Sequence, residues 1–441
     1  EHGIPTFYES VSRSLNGYFN VGYSFDDRYL MDFSLRSSGS SVFGSSKKYN
    51  TTWSVGLGWN LHKEKFIMNN FNWINLLKLR ASIGNPGNQN FSSYSAITTY
   101  YFNNWMLNNF GTGVLVSKFG DPNLAWQRTL DKNIGINLSM FSNRFHVTVD
   151  FYHKRTDPLI ADIGIPVSMG VEKRRTNIGV QVDKGVNGTI RYAILYKPQE
   201  SINYTMSVNF RYGTAFYKNI GRSLNAYNQE NISKNLTRYY DGGSPTALWA
   251  VRSRGIDPAT GQEIFVKKDG TLTYTFDYKD EVEVGDSRPT LEGVWGNTFY
   301  YKGWSASLQL RYSFGADVFN STLFNKVENI SSRSITTNQD RRALYNRWKK
   351  PGDKAKFKSI SLTETTPMSS RFVMKENYLS IESVRLGYQF DTKWLKKTLR
   401  ISSLNINMYM NSIARFSTLE DERGLYYPFA RSISFSIGAI L

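Results

Sequence analysis

Only four histidines occur in the 441 residues, His2, His62, His146 and His153, and there is no cysteine. None of the histidines has the HExxH spacing that seats zinc beside a general base. Without thiols there is neither a cysteine nucleophile nor a zinc–thiolate site. No GxSxG elbow and no P-loop occurs. The acidic pairs Asp26-Asp27 and Asp280-Glu281 stand in turn or loop context, which solvates carboxylates, and the stretch 276–286 lacks the DxDxDG calcium pattern. Catalytic residues, metal ligands and cofactors are therefore not expected. What remains is recognition. Tyr100, Tyr101, Asn103, Asn104 and Trp105 form one cluster, and Tyr239, Tyr240, Asp241 and Trp249 another. Aromatic faces stack on sugar rings, and amides bond hydroxyls or peptide groups. These residues are candidates for substrate binding; the competing reading is that they pack long loops together.

The elements that must hold these clusters alternate in character. In Ser432–Leu441, Ile433, Phe435, Ile437, Ala439 and Leu441 point one way, and Ser434, Ser436 and Gly438 the other. Trp53, Val55, Leu57, Trp59 and Leu61 alternate with Ser54, Gly56, Gly58 and Asn60, and Ile134, Ile136, Leu138 and Met140 with Gly135, Asn137 and Ser139. Such runs extend for about 9–12 residues, the length of a tilted strand crossing a bilayer. Soluble strands are shorter, with a mode of about 5–6 residues. Tyr29, Trp53, Trp59, Trp73, Trp304 and Trp394 sit at or near run ends, where interfacial aromatic girdles lie. The pattern reads as all-β, a transmembrane antiparallel barrel in the outer membrane. Ending on an apolar strand fits it, because the last strand must pair to close the wall.

Composition agrees. No run approaches 18 apolar residues, so no transmembrane helix is expected, and a mean hydropathy of −0.43 suits strands that wet one face. The net charge is +18. The basic residues are scattered through turns and loops, as in Lys47-Lys48, Lys173-Arg174-Arg175, Lys349-Lys350 and Lys396-Lys397, with no nucleic-acid-binding motif. Their expected partners are lipid headgroup phosphates or anionic ligands, not nucleic acid.

Alternation counting gives about thirteen to fifteen strands, two of them placed at 174–184 and 186–197. Tight turns are expected at Asp26-Asp27, Ser142-Asn143 and Lys302-Gly303. Long connections run near 85–125, 215–288 and 316–371. Short and long connections alternate as periplasmic turns and extracellular loops do. Residues 1–16 read as the remnant of an extracellular loop and 17–441 as barrel. With no initiator Met and no signal peptide, the chain reads as the C-terminal part of something longer.

Several stretches then share an order. They are YSFDDRYLMDFSLRSSGSSVFG (23–44), WSVGLGWNLHKEKF (53–66), LLKLRASIGNPGNQ (76–89), DPNLAWQRTLDKNIGINLSMFSNRFHVTVDFYHKRTDPLI (121–160) and GIDPATGQEIF (255–265), followed by RWKKPGD (347–353) and YPFARSISFSIG (427–438). Together they resemble the C-terminal half of SusC/RagA-like TonB-dependent transporters of Bacteroidota, over essentially the whole chain. Gln127 stands where family members usually carry Glu. The resemblance implies a barrel of about 22 strands with an N-terminal plug in its lumen. It also implies a SusD-like surface lipoprotein as a lid, energy delivered through TonB, and oligosaccharide or oligopeptide cargo. The plug and TonB box have no counterpart here, so an N-terminal plug-bearing half is an expected partner. Two other functions would use the same fold: a structural or docking subunit of a larger outer-membrane assembly, and a siderophore receptor, which the SusC-like strand motifs argue against. By residue type, Gly84–Asn88 and Asp257–Gly261 read as turns, and Arg347-Trp348 with Pro351–Asp353 as a loop anchor.

Overall fold

The computed structural model describes residues 11, 13–41, 49–86, 98–108, 111–121, 123–125, 127–330, 339–362, 364–391, 394–419 and 432–440. Thirteen strands form one antiparallel sheet. In spatial order they are β1 (Ser14–Phe25), β2 (Tyr29–Ser40), β3 (Tyr49–Asn60), β4 (Ile74–Gly84), β7 (Thr129–Met140), β8 (Phe145–Thr156), β11 (Val180–Lys197), β12 (Ile202–Lys218), β17 (Leu291–Tyr301), β18 (Trp304–Phe319), β19 (Val373–Phe390), β20 (Ser403–Ser417) and β21 (Ile433–Ile440). The remaining strands lie in the connections: β5 (Thr99–Asn108) with β6 (Gly111–Lys118), β9 (Leu159–Gly164) with β10 (Lys173–Ile178), and a four-stranded sheet of β13 (Ala247–Ile256), β14 (Glu263–Val266), β15 (Leu272–Thr273) and β16 (Glu281–Asp286). No helix among the described residues is long and apolar enough to cross a membrane, which leaves crossing by strands untouched.

The register explains why alternation in sequence becomes a two-faced wall. Met31, Leu57, Ala81, Ile134, Phe151, Val186 and Tyr212 stand opposite one another in a single row across seven strands. One residue further along β2, the row reads Asp32, Gly56, Ser82, Asn133, Tyr152, Gly185 and Gly213. A one-residue slip would exchange the two faces, so the apolar face fixes the register. That face is open: Phe435 is 71% and Ile437 73% exposed. A soluble sheet would bury such a face, whereas a membrane-crossing wall turns it outward.

One end of the wall carries tight turns. Asp26, Asp27, Phe141, Ser142, Asn143, Lys302 and Gly303 all adopt positive φ, the backbone of short hairpin loops in which Asp, Asn and Gly are least penalised. The other end carries the extra strands and two small cores. Ile178, Ile220 and Leu224 are buried in one, and Leu236, Leu248 and Ala250 in the other.

The expected strands at 174–184 and 186–197 are a different pair of objects. Residues 173–178 are β10, which pairs with β9 outside the wall, and 180–197 form one unbroken wall strand. The apparent break, Gly185, is a close approach. A Cβ there would lie 2.3 Å from the Tyr212 carbonyl oxygen and 2.6 Å from the Tyr152 hydroxyl. Glycine keeps the strand running while another side chain crosses over it.

Candidate functional site: a polar band on one face of the wall

The polar face gathers its charges in rows. Lys154 stands between Asp131 on β7 and Asp183 on β11, with Nζ 3.2 Å from Asp131 Oδ2. In another row Arg80, Gly135, Asp150, Asn187, Arg211 and Glu292 succeed one another on six adjacent strands. Arg80 reaches across β7 to Asp150, Nη2 to Oδ1 at 2.8 Å. It can do so because Gly135 lies beneath: a Cβ there would sit 2.3 Å from Asp150 Oδ1 and 2.7 Å from Arg80 Nη2. Gly56 makes the same room for Asp32, and Gly185 with Gly213 for Tyr152. Glycines on this face are the floor over which long polar side chains lie.

Three clefts open along this face in the half nearer the long connections. One of about 400 Å³ touches Arg36, Ser54, Ser82, Asp131 and Asn133; the next, of about 510 Å³, touches Asn133, Tyr152, Lys154, Asp183, Asn187 and Arg211. A third of about 260 Å³ is lined by Asn209, Arg211, Glu292, Val294, Arg311 and Tyr378. Asn133 belongs to the first two and Arg211 to the last two, so the clefts form one band running across the strands. Its inventory is guanidinium, ammonium, carboxylate, amide and phenol. Such groups bind hydroxyls, amides and charged termini. Arg288, from the connection before β17, ties Asp183 to that connection at 3.1 Å.

The residues expected to bind substrate lie beyond the band, on two separate units. Tyr100 and Tyr101 are on β5 and are 63% and 47% exposed. Asn103, Asn104 and Trp105 are on the same strand, and their side chains lie outside the described residues. In the second cluster the Asp241 carboxylate accepts the backbone N–H groups of Ile220 at 2.7 Å and Gly221 at 3.1 Å. Tyr239 packs against the rings of Tyr217 and Tyr227, and burial pushes its phenol pKa up. Tyr240 lies 4.7 Å from Trp249, centroid to centroid, and faces outward.

The turn and anchor motifs meet. Trp348 covers Gly261, where φ is +73°. It donates its indole N–H to the Pro258 carbonyl at 2.9 Å, and the Gly352 N–H donates to the same oxygen at 2.8 Å. The Arg347 guanidinium fixes the anchor through main chain: it donates to the carbonyls of Ala343, Lys358 and Val327, and among the described residues no carboxylate is its direct partner. Burial lowers its pKa.

Residues 3–405 match the family model described as TonB dependent receptor-like, beta-barrel. The chain belongs to that family. Among relatives of this barrel family, TonB-dependent receptor P39 of Formosa agariphila is 27% identical over 91% of this chain and 42% of its own length. TonB-dependent receptor SusC of Bacteroides thetaiotaomicron is 24% identical over 99% of this chain and 44% of its own. The chain thus spans less than half the length of the curated relatives it matches. A solved structure of the RagAB peptide transporter shares the fold, with a TM-score of 0.81 at 21% identity over 93% of this chain and 44% of that one.

The charged residues of the band stand at polar positions of alternating runs, yet the sequence alone does not assemble them. Parity marks the face, but only the register shows that Arg80, Asp150 and Arg211 share a row.

Proposed function

We propose that the chain forms the C-terminal part of an outer-membrane importer barrel, which takes up oligosaccharides or oligopeptides and has no enzymatic role. The observation that carries this is the continuous band of clefts on the polar face of a TonB-dependent receptor wall. In a closed barrel that face lines the lumen, so cargo would pass along it. The long connections face the cell exterior and the tight turns the periplasm. A SusD-like lipoprotein covers the exterior end as a lid, and an N-terminal plug-bearing half coupled to TonB completes the wall. The aromatic residues near strand ends meet lipid at the interfaces. The relatives named SusC and RagAB support this assignment of partners.

Native capture of the chain from outer membranes, with mass spectrometry of intact partners and bound small molecules, tests it. Recovery of a plug-bearing half, a SusD-like lipoprotein and a retained glycan or peptide is expected. Recovery with assembly or secretion proteins and an empty lumen would instead make this a transporter fold put to structural use.

A further inference from the structure

Resting on the import reading, we propose that the third cleft of the band is a carboxylate-binding subsite, with Arg211 and Arg311 as its donors. Both guanidiniums line the same cavity of about 260 Å³. Each has a carboxylate neighbour that it engages loosely. Arg211 Nη1 lies 3.7 Å from Glu292 Oε1, and Arg311 Nε lies 3.3 Å from Glu382 Oε1. The first distance is beyond hydrogen-bond reach. The two arginine side chains are 56% and 51% exposed. Where this protein uses an Arg–Glu pair to build structure, the geometry differs: Arg238 grips Glu281 through two bonds of 3.0 and 2.8 Å and is 1% exposed. A guanidinium carries five N–H donors in a planar fork matched to a carboxylate. Arg211 also reaches toward the Tyr152 hydroxyl on the neighbouring cleft's side, and the donors that the two arginines do not use in these contacts line the cleft.

The rest of the cleft fits an oligomer bearing such a group. Val294 gives an apolar wall between the two arginines, and Asn209 an amide. Tyr378 is held in place because Arg415 stacks 4.2 Å over its ring and is fixed by Glu376 at 2.5 Å. Glu292 and Glu382 lower the intrinsic affinity for anions, so a free small anion is a poor ligand. An oligomer gains the amide and aromatic contacts as well.

Two cargo types supply a carboxylate: an acidic glycan through its uronate, and a peptide through its C terminus. The test uses the full-length transporter with its lid, titrated calorimetrically at low ionic strength with matched pairs. The pairs are a uronate oligosaccharide with its carboxyl-reduced counterpart, and an oligopeptide with its C-terminal amide. The carboxylate member of one pair should bind about tenfold more tightly than its partner, as a charge-assisted bidentate bond implies; which pair does so identifies the source. The Arg211→Gln/Arg311→Gln variant should lose that preference while keeping its affinity for the neutral member. The Arg211→Lys/Arg311→Lys variant, with charge but no fork, should keep part of it. Heat-modifiable mobility on gels checks that each variant barrel is folded. Equal binding within both pairs, or a preference that survives the glutamine variant, overturns the subsite and leaves import standing. Binding of none of the four compounds also overturns it. An absence of oligomer uptake by cells carrying the intact transporter overturns the import reading instead.

Discussion

The connections and the wall use the same residue types to opposite ends. In the connection around β13–β16, Arg238 is buried and all its donors are occupied, and Glu281, expected to be solvated in its loop, is instead buried beside it because it answers that guanidinium. Nε and Nη2 bond Glu281, Nη1 bonds the carbonyls of Asn235 and Thr237, and Nη2 also bonds that of Ile232. Arg371 is committed in a similar way: it bonds Glu263 at 2.9 Å, Glu328 at 2.6 Å and the Lys356 carbonyl at 2.8 Å. Ser369 and Thr366 donate to the two glutamates. On the wall, Arg211 and Arg311 are half exposed and only loosely paired. A buried charge left unanswered destabilises the fold; every nitrogen of Arg238 is answered locally, and at Arg371 only Nε lacks a partner among the described residues. A charge on a wetted face is under no such demand. The difference separates arginines that build structure from arginines with donors to spare.

The contrast breaks most visibly at Arg238. Arg238→Met leaves Glu281 buried without its cation and should cost about 3–5 kcal/mol. The loss should appear as fast hydrogen exchange in β13 and β16 while the wall strands stay protected. Arg238→Met/Glu281→Met removes both charges and should recover much of that loss. On the wall, Arg211→Gln should change stability by less than about 1 kcal/mol, since the pair is solvent-exposed. Equal losses at Arg238 and Arg211 would erase the distinction.

A second contrast lies within the wall. Gly135→Val drives a branched side chain into the space where Arg80 crosses to Asp150, and overpacking of this kind costs about 1–3 kcal/mol. Gly22→Ala, where nothing lies within 4 Å of the added Cβ, should show no comparable loss. Thermal loss of the heat-modifiable folded band reads both variants. If the two glycines respond alike, the floor they are said to provide is not what Gly135 supplies.

In the connections, Gly261→Ala meets two penalties, a φ of +73° and a Cβ 2.6 Å from the Trp348 ring. Together these should cost about 1–2 kcal/mol of local stability. They should also free Trp348 enough to raise its quenching by acrylamide, measured against a Trp348→Phe background.

These sites were unequally legible in the sequence. Alternation located the wall strands because a strand with one lipid face and one wet face must write that period into its residues. It failed at Gly185, where a glycine serving close approach looks the same as a glycine ending a strand. The Asp257–Gly261 and Arg347–Asp353 motifs were readable as a turn and an anchor from their residue types. That each is the other's partner was not, because nearly ninety residues separate Pro258 from Trp348. The aromatic clusters at Tyr100 and Tyr239 are legible because their members are neighbours in sequence. The row of Arg80, Asp150, Asn187, Arg211 and Glu292 contributes one residue per strand, and no local window contains it.

The smallest effect sharpens the same division from the side of pH. Asp257 is fully committed within its turn, and its pKa is held below the ordinary carboxylate range. The Ala259 backbone N–H contributes most, followed by the hydroxyls of Tyr274 at 2.7 Å and Thr260 at 2.9 Å. A depressed pKa means the folded turn favours the ionised form. The resulting stability is present above the ordinary aspartate pKa of 3.8 and is lost as pH falls through the lower folded value. Because Asp257 is exposed, the effect should stay local. Hydrogen exchange of Ala259 and Gly261, corrected for intrinsic rates, should quicken as pH drops below 3.8. In Asp257→Asn the protection should start lower and vary little over the same range. A turn whose protection ignores both pH and the substitution would show that Trp348, and not the Asp257 carboxylate, holds it closed.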